Sequence, residues 1–312
     1  MIETKQLTKS FGQKIAVDNI SFTVDRGEVL GFLGPNAAGK TTTMRMITGF
    51  LPPTSGTAII GGDDITESSL SARKKIGYLP ENAPAYLDMT VIGFLDFIAE
   101  IRGFSGKEKI RRIEETLERS SLTEVRYQNI DTLSKGFKQR VCFAQSILHD
   151  PEYLIMDEPT DGLDPNQKHE VRAMICDMAK EKTIILSTHN LEEVDAICTR
   201  VIIISEGKIV VDDTPERLKA RSSVHGAVCF TVEKIEREEM LSQISQIPVV
   251  TEVEILDETE PDISVRVYPK DSTMPIVDEI IRYFQEKGHQ MKSLIVEEGR
   301  LDEVFRKMTA SH

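Results

Sequence analysis

A stretch of eight residues decides the fold of this chain: Gly34, Pro35, Asn36, Ala37, Ala38, Gly39, Lys40 and Thr41. Its spacing is GxxxxGK[ST], and the pattern needs glycine because backbone N–H groups that turn inward leave no room for a side chain. The apolar run from Glu28 to Leu33 predicts a strand before the stretch, and Lys40 to Thr48, which lacks helix breakers, predicts a helix after it. Strand, glycine loop and helix in this order predict a phosphate-binding loop.

The same loop predicts the first contacts to a nucleotide. The Lys40 ammonium is expected on the β and γ phosphates and the Thr41 hydroxyl on Mg²⁺, while the helix directs its positive N-terminus at the same anions. Thr42, next in the chain, is assigned to the same nucleotide site. The alternative is a chance match, which a chain of this length would contain about once in a hundred cases.

A second group of acidic residues ends an apolar strand. Tyr153 to Met156 is followed directly by Asp157 and Glu158. Buried parallel strands end at the edge of the sheet where active sites form, so Asp157 is expected to hold Mg²⁺ through its water shell and Glu158 to activate the attacking water. The alternative, a merely polar strand end, is about one in twenty given the loop upstream.

A third motif, from Leu133 to Arg140, has the form LSxGxxQR and resembles the LSGGQ signature of ABC ATPases. Ser134 and the Gly136 amide precede a predicted helix, which gives a second anion-binding helix end, and Gln139 is assigned to the same nucleotide site. As an alternative, Ser134 is simply a helix N-cap. The resemblance implies that this motif meets the nucleotide from the side opposite the glycine loop.

The resemblance implies further site residues. Phe11 corresponds to the aromatic that stacks on adenine, although an exposed turn residue is the alternative. Glu81 stands at the Q-loop position, where the family usually has a glutamine that contacts Mg²⁺ and the attacking water. Gly162 to Asp164 resembles the D-loop, and His189 the H-loop histidine at the γ-phosphate; a lone histidine is otherwise more often structural.

Two residues depart from the family pattern. Ala37 replaces a common loop glycine, and Lys135 replaces the first glycine of the signature. Neither change removes a consensus ligand. The resemblance covers about residues 1 to 220 and, with the tail Leu301 to Phe305, is most similar to prokaryotic subunits of the gliding-motility and drug-export type.

The predicted fold class is α/β. We expect an ABC cassette with a mostly parallel sheet, an antiparallel N-terminal hairpin and a helical insertion at about 88–150, all within residues 1–222. Residues 223–312 read as βαββαβ, which predicts a small α+β ferredoxin-like domain. A polar stretch from Glu216 to His225 separates the two domains.

Composition limits the remaining possibilities. A net charge of −13 opposes nucleic-acid binding. The longest apolar runs fall short of the ~18 residues of a spanning helix, so we expect the chain to stay in the cytoplasm. The resemblance implies that it is peripheral on the inner face of the cell membrane. Four widely spaced cysteines are expected to be reduced core thiols: Cys142, Cys176, Cys198 and Cys229.

Three functions compete at this point. The resemblance favours an ATPase that dimerises around ATP and Mg²⁺ and drives a separate permease, as an exporter. Its implied partners are transmembrane permease subunits and a second ATP-binding subunit, either identical or different. Residues 82 to 105 would receive the permease, with an ordinary core helix as the alternative. The alternatives are a soluble ABC ATPase acting on ribosomes or DNA, and a metabolite kinase, which would leave the LSxGxxQR segment unexplained.

Overall fold

The structure is a computed structural model that describes residues 1–81, 85–233, 237–259, 261–271 and 275–310. The chain forms two compact units, Met1–Pro215 and Glu216–Ser311. The domain limits predicted from the sequence, 1–222 and 223–312, stay a prediction.

The first unit begins with an antiparallel sheet whose strand order is β2-β1-β4-β5. The strands are β1 (Ile2–Phe11), β2 (Lys14–Val24), β4 (Ser55–Ile60) and β5 (Asp63–Asp64). In the hairpin, Ile2 pairs with Val24 and Phe11 with Lys14. The predicted N-terminal hairpin is therefore confirmed, with its turn at Gly12, where φ is +59°.

A six-stranded sheet with the order β10-β9-β3-β8-β7-β6 forms the centre of this unit. Its strands are β3 (Val29–Leu33), β6 (Ile76–Leu79), β7 (Tyr153–Asp157), β8 (Thr183–Thr188), β9 (Arg200–Ser205) and β10 (Lys208–Asp213). All neighbours pair in parallel except β9 and β10. The carboxyl ends of β3, β7 and β8 thus meet at one edge of the sheet.

Helices connect and cover these strands. They are α1 (Lys40–Ile47), α2 (Ser69–Lys74), α3 (Val91–Ile101), α4 (Gly106–Arg119), α5 (Lys135–Ile147), α6 (Pro165–Ala179) and α7 (Leu191–Ile197). Helices α3, α4 and α5 share a separate apolar core that includes Phe94, Leu117 and Val141. This is the helical insertion that the sequence predicts. None of the described helices is both long and apolar enough to cross a membrane.

The second unit has its own apolar core, which includes Phe230, Val265 and Phe284. Its elements are α8 (Pro215–Lys219), β11 (Val228–Glu233), α9 (Arg237–Ser245), β12 (Val250–Thr259), β13 (Asp262–Pro269), α10 (Val277–Lys287), β14 (Met291–Val296) and α11 (Leu301–Thr309). The sheet order is β12-β13-β11-β14, with all pairs antiparallel. This is the strand order of a ferredoxin-like fold, as the βαββαβ reading predicts. The polar stretch from Glu216 is not a plain linker, because α8 lies across its start.

The cysteine prediction was partly wrong. All four cysteines are free, and Cys142 and Cys198 are buried as expected. Cys176 is exposed and Cys229 half-buried. The apolar residues beside Cys176 in the sequence lie on the inward side of α6, so sequence neighbours did not report its own exposure.

Candidate nucleotide site

The glycine loop joins the end of β3 to the start of α1, and close packing explains its two glycines. A Cβ atom on Gly34 would lie 2.4 Å from the Ile204 carbonyl oxygen. At Gly39 φ is +111°, and a Cβ atom there would lie 2.6 Å from the Ala16 carbonyl oxygen. Any side chain at either position would force the loop away from β9 or β2.

Ala37 explains why the family pattern has glycine at its position. Its φ is +64°, in the left-handed region that L-residues with a Cβ enter only at a cost of roughly 1–2 kcal/mol. The loop therefore keeps the same turn with alanine. This departure from the pattern therefore adds strain to the loop.

The Lys40 side chain folds back onto the start of the glycine loop. It is buried, and its Nζ donates to the Gly34 carbonyl at 2.7 Å and to the Pro35 carbonyl at 3.3 Å. The same Nζ lies 3.8 Å from Oε1 of Glu158. The ammonium is thus held at the loop and beside the acidic end of β7, with no other acidic side chain within ion-pair distance among the described residues.

Asp157, at the end of β7, is fully buried, and one of its two carboxylate oxygens has hydrogen-bond partners. Its Oδ1 accepts hydrogen bonds from Thr41 Oγ1 at 3.3 Å and from Ser187 Oγ, which lies in β8. Its Oδ2 is buried and has no hydrogen-bond partner among the described residues. A buried carboxylate oxygen without a partner is costly. Together with the adjacent Thr41 hydroxyl, it offers oxygen donors of the kind that Mg²⁺ prefers.

Glu158 follows in a strained conformation. Its φ is +50°, and its backbone N–H donates to Ser187 O and Ser187 Oγ, both at 3.1 Å. Its Oε2 lies 2.9 Å from Nδ1 of His189, the residue after β8. Strained backbone of this kind collects at functional sites. The predicted catalytic residues Glu158 and His189 therefore form a direct hydrogen-bonded pair.

A cavity of about 460 Å³ lies at the glycine loop and reaches Glu158, whereas His189 lines a neighbouring cavity that shares Glu158. The residues that line the cavity at the loop are Phe11, Lys14, Ala16, Pro35, Asn36, Ala37, Ala38, Gly39, Lys40, Thr41, Thr42, Glu81 and Glu158. The structure thus brings Phe11 and Glu81, which are far apart in the sequence, to the glycine loop. Sequence reasoning missed Lys14 and Ala16; for Lys14, its pairing with Phe11 across the hairpin was the available signal.

The signature segment begins α5 but does not line this cavity among the described residues. Ser134 is the N-cap, and its Oγ accepts a hydrogen bond from the Phe137 N–H at 3.4 Å. Gly136 packs so closely on Gln167 that a Cβ atom would lie 2.3 Å from that side chain. Both Ser134 alternatives stay open, since an N-cap can also bind an anion.

Lys135 and Gln139 contact the segment that follows Glu158. The Lys135 ammonium lies 3.7 Å from Asp161 and packs against Gly162. Gln139 is buried, and its Nε2 donates to the Pro159 carbonyl at 3.1 Å. The α5 helix is thereby tied to the predicted D-loop. The assignment of Gln139 to the nucleotide stays a prediction, and the contact to Pro159 favours a positioning role.

Comparisons with known proteins show the family to which this chain is related. The family profile described as ABC transporter covers residues 17–161. The linearmycin resistance ATP-binding protein LnrL of Bacillus subtilis is 32% identical over 311 residues, which cover 99% of this chain and 98% of LnrL.

The chain belongs to the ABC transporter ATP-binding proteins. A probable multidrug ABC transporter ATP-binding protein of Escherichia coli, YbhF, is 40% identical over 224 residues. Those residues are 72% of this chain and 39% of YbhF, so the chain spans well under half of that relative. A solved ATP-binding subunit of an ABC transporter is 30% identical, with a TM-score of 0.65, over 70% of this chain and 92% of that one.

Family membership confirms the predicted fold class, and the first unit is an ABC ATPase cassette. It also argues against the metabolite kinase. The individual roles of the site residues stay predictions.

Proposed function

We propose that this chain is the ATP-hydrolysing subunit of an ABC exporter, which dimerises around ATP and Mg²⁺ and drives a separate transmembrane permease. The observation that carries the proposal is the hydrogen-bonded pair of Glu158 and His189 beside Lys40. The names of the relatives support export, since one is called a linearmycin resistance protein and another a probable multidrug transporter protein. The chain would then lie on the inner face of the cell membrane.

The cavity supports nucleotide binding. Phe11 is 52% exposed at the end of the first hairpin, where its ring can stack on adenine. The loop amides and the α1 N-terminus face the phosphates, and Lys40 exchanges its contacts to the Gly34 and Pro35 carbonyls for phosphate oxygens. Each group is held by the fold before the nucleotide arrives.

The residues present fit a magnesium ion. The Thr41 hydroxyl and Asp157 would hold it, and the unpaired Oδ2 of Asp157 would gain a partner directly or through water. Glu81 faces the same cavity and is the third candidate ligand, with one more negative charge than the usual glutamine. When bound, Mg²⁺ supplies charge neutralisation at the phosphates.

Hydrolysis requires a base for the attacking water. Glu158 is largely buried, its backbone is fixed by Ser187, and its carboxylate faces the loop, so it can accept the proton of a water in line with the γ-phosphate. His189 holds one oxygen of this carboxylate at 2.9 Å and remains more than half exposed, which lets it reach the γ-phosphate as well. We assign Glu158 as general base and His189 as its partner.

A second chain would complete the site. Ser134 is exposed and Gly136 stands in the first turn of α5, yet neither lines the cavity at the glycine loop of its own chain. A partner chain with two-fold symmetry would place its Ser134 and Gly136 on the nucleotide held by the first, and the reverse. We propose a second copy of this chain as that partner.

A surface groove supports the permease contact. It encloses about 440 Å³ and exposes three large apolar side chains, Phe50, Leu70 and Ile101, at 72%, 67% and 65%. Arg73, Lys74 and Arg102 line the same groove. In a chain of net charge −13, this basic rim favours an apolar cytoplasmic segment of the permease with acidic flanks. Ile101 belongs to the docking segment predicted at 82–105, of which residues 82–84 lie outside the described part.

Substitution of Glu158 tests the proposal. We expect Glu158→Gln to bind ATP with wild-type affinity by calorimetry but to hydrolyse it at least about a hundredfold more slowly, because the base is lost and the loop is intact. The matched control is Glu118→Gln, an exposed glutamate on α4, which should hydrolyse normally. Wild-type turnover by Glu158→Gln would refute the role of Glu158.

The soluble alternative makes a different prediction about partners. An ATPase that acts on ribosomes would sediment with them, and one that acts on DNA would bind a duplex at low salt. For the exporter, we expect co-purification with a membrane protein, weakened by charge reversal of Arg73 and Lys74. Co-sedimentation with ribosomes and none with membranes would favour the alternative.

A further inference from the structure

A buried carboxylate lies close to the catalytic pair, and none of the predicted roles uses it. Glu193, on α7, is 2% exposed. Its Oε1 accepts a hydrogen bond from Thr160 Oγ1, and its Oε2 accepts one from Thr188 Oγ1 at 2.8 Å. Both threonines are buried as well. A buried ionisable side chain with two such specific partners has to be explained by what those partners do.

Each threonine belongs to a segment that carries one member of the pair. Thr160 lies two residues after Glu158, and Thr188 lies immediately before His189. The carboxylate of Glu193 therefore bridges the two segments behind the pair. Earlier in the two segments, the Glu158 N–H donates to Ser187 and the Ser187 hydroxyl donates to Asp157.

Helix α7 fixes Glu193 relative to Thr188. The Asn190 N–H donates to Thr188 Oγ1 at 3.0 Å, and the Glu193 N–H donates to the Asn190 carbonyl at 3.2 Å. Asn190 also caps α7 by accepting from the Glu192 N–H at 2.9 Å. The Thr188 hydroxyl thus accepts from the Asn190 N–H and donates its single proton to Glu193. Backbone N–H groups therefore fix Glu193 relative to Thr188, whereas the Thr160 hydroxyl joins Glu193 to the segment after Glu158.

We infer that Glu193 is a positioning residue that holds Glu158 and His189 at hydrogen-bonding distance. It works through Thr160 and Thr188, and it does not line the cavity of the glycine loop. The bridge also holds the start of the predicted D-loop, because Asp161 and Gly162 follow Thr160 directly. This inference rests on the proposed ATPase function and adds the residue that keeps its catalytic pair aligned.

Steady-state kinetics with ATP test the inference. In Glu193→Ala both hydrogen bonds are lost, so we expect kcat to fall about tenfold or more through misalignment, with KM and calorimetric ATP affinity unchanged. Glu193→Gln keeps the shape and can bond both threonines, so it should restore kcat to within about threefold of wild type. A purely structural role would instead lower the amount of folded protein and leave kcat per active site unchanged.

Substitution of the threonines tests the bridge independently of Glu193. Thr160→Val and Thr188→Val should each lower kcat, and neither should lower it further in the Glu193→Ala background, because all three remove the same bridge. Thr116→Val, a buried threonine on α4, is the matched control and should hydrolyse normally. Wild-type kcat in Glu193→Ala or in both valine variants, with an active wild-type protein, would overturn the inference alone. An inactive wild-type protein would overturn the proposed function itself.

Discussion

Ala37 is an alanine in a backbone conformation that favours glycine. Its φ of +64° suits glycine, and the left-handed conformation costs an alanine roughly 1–2 kcal/mol. Glycine in turn loses more backbone entropy on folding. Since the first effect is the larger, the alanine leaves the loop slightly strained.

Ala37→Gly should therefore stabilise the protein by about 0.5–1 kcal/mol and leave ATP affinity unchanged, because the loop amides keep their places. Thermal unfolding with and without nucleotide measures both effects. Ala38→Gly is the matched control: Ala38 is buried and outside the left-handed region, so the same replacement there should destabilise. Equal effects at the two positions would show that strain at Ala37 is not the cause.

For single residues, sequence patterns predicted candidates for the site but not the contacts between them. Glu158 and His189 were each predicted, while their 2.9 Å contact depends on where β7 and β8 end in space. Glu193 gave no signal, because it stands beside the exposed Glu192 and looks like any charged residue of a surface helix. The carboxylate bridge is visible only in three dimensions.

Elements with strong periodicity were predicted well, and short or interrupted ones were missed. For example, apolar residues recur at helical spacing from Val91 to Ile101, which predicts a helix there, and α3 has these bounds. By contrast, β4 contains Gly56 at φ +75°, and α2 has only six residues. Such segments carry too few repeats for a period of two or 3.6 residues to emerge. Their place in the fold comes from pairing with β1 and packing on β6.

His149, just after α5, gives the cassette a pH dependence. Its Nε2 donates to the Ile76 carbonyl at 2.9 Å, and burial, with Arg102 nearby, lowers its pKa from 6.5 to about 4. The unfolded chain therefore binds an extra proton between these values. This contribution to stability is complete above pH 6.5 and is lost as the pH falls to about 4.

We expect up to about 3 kcal/mol of acid destabilisation from this residue, since each pKa unit is worth roughly 1.4 kcal/mol. His149→Gln keeps a donor for the Ile76 carbonyl but has no proton to gain, so its stability should fall less between pH 6.5 and 4. Denaturant titrations of both proteins across this range measure the difference. If the unfolding free energies of both proteins fell in parallel with pH, His149 would not be the group responsible.

For the whole molecule, we propose that the glycine loop carries half of a catalytic site. Lys40, Asp157, Glu158 and His189 converge at one edge of the six-stranded sheet. Ser134 and Gly136 do not line the cavity at that edge in the same chain. The motif order and the family resemblance predicted that a second subunit supplies the signature, whereas the place of Ser134 away from the cavity depends on where α5 begins in space.

Mixing two inactive variants tests this central claim most directly. Glu158→Gln lacks the base, and Ser134→Arg, at an exposed position, blocks the signature contact. In a two-fold dimer, a mixed pair keeps one intact site, made from the glycine loop of the Ser134→Arg chain and the signature of the Glu158→Gln chain. The account predicts that each variant alone is nearly inactive and that an equal mixture recovers up to about a quarter of wild-type hydrolysis, since half of the dimers are mixed. No recovery from two variants that both bind ATP, or normal turnover by Ser134→Arg alone, would contradict it.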